Sequence, residues 1–201
     1  MSPLDKLTEL FRDLPGIGPR QARRFVYFLL SANPSYRKEL IHAIEKIGND
    51  ITQCSTCFRY FPKTRNDARE CKQCSDSQRD ASLLMAVERD VDIESVERSG
   101  AYSGRYFVMG GVIPLAAEEP ERYVRLPQFL ESAERPGIKE VILGFSATAE
   151  GDHTRLIVEE WLRPMQEKGL RVSVLGRGLS TGSELEYADP ETIKAAIQGK
   201  K

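Results

Sequence analysis

Two Cys-x2-Cys pairs, Cys54-Ser55-Thr56-Cys57 and Cys71-Lys72-Gln73-Cys74, account for all four cysteines of this chain. Such a turn lets both thiolates reach one ion at about 2.3 Å, and two turns complete a tetrahedral zinc site with no open position. The intervening loop, residues 58–70, contains Pro62 and Asn66. It is a little shorter than the roughly 15–20 residues of the usual four-cysteine spacing. The competing readings are two buried pairs of free thiols or a redox Cys-x2-Cys. A redox motif would open a helix directly after a strand, and neither pair is so placed. A closed four-sulfur site holds shape and performs no reaction.

A second set joins glycine to arginine. In the run Leu14-Pro15-Gly16-Ile17-Gly18-Pro19-Arg20, glycines precede the cations Arg20, Arg23 and Arg24. Gly16 and Gly18 let the backbone turn tightly and approach another surface, exposing amides where a helix dipole favours phosphate. The arginines would neutralise phosphates without reading bases, so DNA binding independent of nucleotide sequence is expected. The alternative is an ordinary helix corner whose glycines serve only geometry, or a hairpin used for dimerisation.

The third set is acidic. Glu88 follows the apolar run 83–87, with Asp90 and Asp92 just beyond, and Glu150-Gly151-Asp152 follows the run 141–143. If both runs are strands of a parallel sheet, their ends share one edge and the carboxylates can converge there. Oxygen ligands of this kind suit Mg²⁺, which takes one or two carboxylates and keeps several waters. The alternative is that these acids are simply solvated.

Other candidates carry less. Gly16-x-Gly18 is not completed to a dinucleotide fingerprint, since position 21 is Gln, and there is no phosphate-binding P-loop string. Gly176, Gly178 and Gly182 could form a phosphate loop but read more simply as a connection. His42 and His153 read as surface or packing residues, Trp161 as core, and Ser146 lacks a nucleophile elbow.

These residues need elements to hold them. Apolar spacing predicts helices over 3–12, 19–30 and 35–48, the last ending at Gly48, followed directly by the metal turns. From residue 83 the pattern alternates: strands over 83–87, 106–109, 141–143 and 171–175, with helices over 93–98 and 153–167. This alternation predicts an α/β layer with a largely parallel sheet. Asp189-Pro190 reads as a cap opening a short last helix. Among 201 residues the net charge is −1, but residues 1–79 hold 14 Lys and Arg against 9 acids and the rest 15 against 21. The basic end suits a polyanion and the acidic end does not. Reduced cysteines, no signal pattern and no apolar run of membrane length lead us to expect a cytoplasmic protein.

The segment from Leu14 to Arg24 resembles a helix-hairpin-helix element, and the strand-end Glu88 with Glu150-Gly151-Asp152 resembles a Toprim domain. The whole order, with Gly100-Ala101-Tyr102-Ser103-Gly104, Glu150-Gly151 with Thr154, and Gly182-Ser183-Glu184-Leu185-Glu186, resembles the RecR family of recombination mediators. That resemblance implies a helix-hairpin-helix domain over 1–53, a zinc finger over 54–79, a Toprim domain over 80–178 and a C-terminal segment over 179–201. It implies a bacterial repair protein without turnover of its own. Such a protein acts with RecO and RecF, assembles with itself into a dimer or a tetrameric ring around DNA, and helps load recombinase onto gapped DNA. Asp92 joins Glu88, Glu150 and Asp152 on the edge that would meet a partner or Mg²⁺. The chain departs from the family at 110–120 and at Gly144-Phe145-Ser146-Ala147. The rival reading is a Toprim-type, Mg²⁺-dependent nuclease.

Overall fold

A computed structural model of the chain describes residues 1–63, 65, 67–176, 182, 184–188 and 190–198. Asn66, Gly178 and the Asp189 cap lie outside the described residues. The chain divides into two compact units, Met1–Ile51 and Thr52–Lys201.

The first unit is helical: α1 (Pro3–Arg12), α2 (Pro19–Ser31) and α3 (Pro34–Asp50). Each begins with proline at its first position, where the missing N–H has no helical partner to lose. Ser2 and Asp5 form a reciprocal capping box on α1, and Asn33 caps α3 through the Ser35 amide at 2.9 Å. Ala22 and Val26 of α2 are buried, and the rings of Phe11 and Phe25 meet edge to face at 5.8 Å. Arg37 closes the far end of α2, donating to the carbonyls of Leu29 at 3.0 Å and Ala32 at 2.7 Å. α3 runs on to Asp50, past Gly48, because an isolated glycine costs helix stability without stopping it.

After the helices come β1 (Ile51–Gln53), β2 (Tyr60–Pro62) and the short α4 (Lys72–Ser75) around the cysteines. A four-stranded parallel sheet follows, built from β3 (Asp80–Val87), β4 (Gly104–Val108), β5 (Glu140–Gly144) and β6 (Arg171–Val174) in the order β4-β3-β5-β6. The helices α5 (Asp90–Ser99), α6 (Leu126–Ala133) and α7 (Ala149–Gln166) connect the strands, and α8 (Pro190–Gln198) closes the chain. The mixed α/β architecture expected from the sequence is therefore present.

Strand alternation sorts the core into two faces. Leu84, Ala86, Phe107, Val141 and Leu143 pack with Phe129 of α6 and with Val158 and Leu162 of α7. Met85, Val87, Tyr106 and Val108 pack with Ile93 of α5 on the other side. Both faces are covered, as parallel sheets require. Trp161 is half-buried against the first face, in line with the core reading. The order β4-β3-β5-β6 reverses direction between β3 and β5, whose ends meet in register at Val87 and Gly144. That reversal point is where an open α/β sheet presents its crevice.

Candidate metal centre and nucleic-acid interface

The four cysteines are buried, and their sulfurs all lie within 4.8 Å of one another. Local geometry explains the convergence. The Phe58 amide returns to the Cys54 carbonyl at 3.0 Å, and Phe58 takes φ +62, the left-handed step that closes the first turn. In the second turn the Ser75 amide returns to the Cys71 carbonyl at 3.0 Å. The turns are joined by the Cys71 amide, which donates to the Cys54 sulfur at 3.4 Å, and by Ser55, whose amide and hydroxyl both reach the Arg69 carbonyl.

Four thiols this close cannot share one protonation state unaided. Hydrogen bonds, from Cys57 above all, pull the Cys54 thiol down, whereas those involving Cys54 above all push Cys74 up. A divalent cation removes the conflict by taking all four as thiolates. The residues present therefore fit a four-coordinate structural metal ion.

This element is fastened to the sheet. The Val108 amide donates to the Cys57 carbonyl at 2.8 Å, Phe58 packs on Phe107 at 5.2 Å between ring centres, and the Tyr60 amide reaches Asp90 at 2.5 Å. The Arg125 guanidinium lies over the Phe58 ring and donates to the Val108 carbonyl.

In the helical unit, Gly16 adopts φ +78, a conformation that glycine reaches without steric cost. Gly18 caps α2 with no side-chain bond of its own. A Cβ added at either glycine would meet nothing within 4 Å, so both face open space, as close approach by another surface requires. Arg20, Arg23 and Arg24 are exposed and line a groove of about 590 Å³ with Pro19 and Tyr27. Sequence reasoning missed a fourth cation in this groove, Arg12, which α1 supplies from eight positions before Arg20. The signal was present: Arg12 lies in the last turn of a helix that ends at the hairpin.

The acidic edge is more divided than expected. Glu88 is buried directly after β3, and its carboxylate accepts the Ser146 amide at 2.5 Å across the reversal point of the sheet. Asp92 sits in the first turn of α5 and accepts the Arg89 amide at 2.8 Å; burial first, with help from the Glu88 charge, raises its pKa. Glu150 and Asp152 lie in the first turn of α7, where the helix dipole favours them, and Asp152 pairs with Arg155 at 3.5 Å. Helix α7 begins at Ala149, ahead of the expected 153, because Thr148 caps it through the Gly151 amide at 3.1 Å. Among the described residues the cysteines are the one group of three or more potential ligands within 4.8 Å. Glu88, Glu150 and Asp152 do not form a second.

Gly151 between the two acids has a packing reason. A Cβ there would sit 2.1 Å from the Ser146 carbonyl oxygen, a backbone atom that cannot yield. Thr154, fully buried one turn later, accepts the Ile113 amide at 2.7 Å and donates to the Glu150 carbonyl.

The RecR helix-hairpin-helix family matches residues 4–47, the Toprim domain family residues 82–176, and the RecR C-terminal family residues 178–201. A protein of Bifidobacterium longum subsp. infantis named recombination protein RecR is 35% identical over 98% of this chain and 95% of its own length. Proteins of the same name from Bdellovibrio bacteriovorus and Mycobacterium leprae are 34% and 35% identical, each over at least 99% of this chain and 97% of their own.

Proposed function

The chain belongs to the RecR family of recombination proteins, and from that premise we propose that it is a non-enzymatic DNA-binding mediator of recombinational repair. The observation that carries the reading is the groove of Arg12, Arg20, Arg23 and Arg24 beside two glycines that face open space. Cations on long side chains and amides at a helix N-terminus recognise the phosphate backbone and no particular base.

The finer assignments rest on this frame. The metal held by Cys54, Cys57, Cys71 and Cys74 is zinc, whose preference for four sulfur ligands matches the cluster. The protein associates with itself into a dimer or tetrameric ring able to encircle DNA. Ile41, Ile44 and Ile47 form an exposed apolar stripe on α3 that such association would cover. It acts in the cytoplasm with RecO and RecF to load recombinase onto gapped DNA. The edge bearing Asp92, Glu150 and Asp152, around the buried Glu88, is the surface that would steer a basic partner, since like charge there sets the rate of encounter. Among the described residues no helix is long and apolar enough to cross a membrane. We assign a helix-hairpin-helix domain to 1–53, a zinc finger to 54–79, a Toprim domain to 80–178 and a C-terminal segment to 179–201.

Salt dependence tests the DNA reading. Affinity for labelled duplexes of unrelated sequence should be equal and fall steeply with salt. Replacing Arg20, Arg23 and Arg24 by alanine should flatten that slope by about 0.9 for each phosphate no longer neutralised. Unchanged low-salt affinity in a triple variant with native circular dichroism would place the DNA surface elsewhere.

A further inference from the structure

We propose that the arginine groove selects unpaired DNA, with Tyr27 as a stacking platform for an extruded base; this rests on the DNA-binding reading and deepens it. Arg20, Arg23, Arg24 and Tyr27 stand at i, i+3, i+4 and i+7 of α2, so they share one helix face. The opposite face buries Ala22 and Val26. Arg12 of α1 and Pro19 complete the lining. The outward face is thus cationic for one turn and ends in an aromatic ring.

The ring is free to act. Tyr27 is 59% exposed, while the other aromatic residues of the helical unit pair off, Phe11 with Phe25 and Phe28 with Tyr36 at 5.7 Å. Among the described residues Tyr27 packs against no other ring. Helical rise places it about 10 Å along the axis from Arg20. A strand whose phosphates lie against the hairpin and the arginines therefore passes over Tyr27. In a duplex the base faces are sealed within the stack and the ring has nothing to meet. In a single strand a base can turn out and lie on it. A cationic groove with an aromatic platform is the general means of holding single strands without reading their sequence. Selectivity of this kind would direct the protein to gaps while leaving its duplex affinity to the arginines alone.

Fluorescence anisotropy with three labelled probes of equal charge separates the contributions: an oligo-thymidine strand, the same strand made abasic, and a duplex. The wild type should bind the thymidine strand about tenfold more tightly than the abasic one, the scale of one base–aromatic stack. Tyr27→Ala should erase that difference and Tyr27→Phe should keep it, with abasic and duplex affinities unchanged in both. Equal losses on all three probes, no loss on the thymidine strand, or a loss that tracks a change in oligomeric mass would each overturn the inference. The arginine triple variant reports separately. If it binds the abasic strand as the wild type does, the phosphate reading itself fails.

Discussion

The Cys57 carbonyl accepts the Val108 amide at 2.8 Å, so the first metal turn hangs from the edge strand of the parallel sheet. Metal binding and sheet stability are therefore coupled. Binding to a closed thiolate site contributes about 10 kcal/mol or more of folding free energy. Purified protein should contain one zinc per chain, a strong chelator should lower its melting temperature, and Cys71→Ala should be poorly soluble. Hydrogen exchange at the Val108 amide should rise on chelation. A metal-free protein of full stability would contradict the assignment.

Glu88 acts as a strut. Its carboxylate satisfies the Ser146 amide where β3 and β5 end, and Gly151 leaves room for the Ser146 carbonyl oxygen, which a Cβ there would meet at 2.1 Å. Glu88→Ala leaves that amide without its acceptor and should cost about 1–3 kcal/mol. Glu88→Gln keeps an acceptor oxygen and should cost less. Both should leave DNA affinity nearly intact, because carboxylates repel phosphate. Equal melting temperatures for Glu88→Ala and the wild type would remove the strut.

The two hairpin glycines should respond differently. At φ +78 a side chain on Gly16 is strained, so Gly16→Ala should destabilise the helical unit by about 1 kcal/mol. Gly18 has an extended backbone and caps α2 without a side chain. Gly18→Ser should hold or raise stability, since serine is a favoured cap. Its hydroxyl would then occupy an amide that phosphate would otherwise take, and DNA affinity should fall. Wild-type affinity in Gly18→Ser would mean that the hairpin amides carry no phosphate.

Glu140 sets an acid limit. Hydrogen bonds from Ser173 first, and then Arg171, hold its carboxyl below the ordinary value of 4.5. With the folded value below the unfolded one, its contribution is complete above 4.5 and is lost as the pH falls through that value toward the folded one. Melting temperature should decline over that window, and Glu140→Gln should flatten the decline. An identical pH profile in the variant would show that the pair between β5 and β6 adds nothing.

Much of this was legible in the chain because local rules and tertiary structure agree. The cysteine spacing announced the metal cluster, and apolar spacing announced the helix α2, which buries Ala22 and Val26. Other features were hidden because they depend on where separate elements meet. Arg12 joins the groove only once α1 folds back beside α2. Glu88 finds Ser146 only when β3 and β5 pair in parallel. Asp92, Glu150 and Asp152 look like free ligands in sequence, yet each falls in the first turn of a helix that begins earlier than its apolar pattern. Helix α6 was not expected from the sequence, although Pro127 falls in its first turn, where proline is compatible with a helix. The isoleucines of α3 keep helical spacing but are exposed, since periodicity reports an apolar stripe and not what covers it.

On the function proposed above, this chain holds DNA without breaking it. Gapped DNA incubated with the protein and Mg²⁺ or Mn²⁺ should be read for bound fraction and strand length in the same samples. Saturable binding that weakens on loss of Arg20, Arg23 and Arg24 is expected, with every strand recovered at full length. Sustained, metal-dependent shortening of the strands that disappears with Glu88→Ala would contradict it and make the acidic edge a nuclease site.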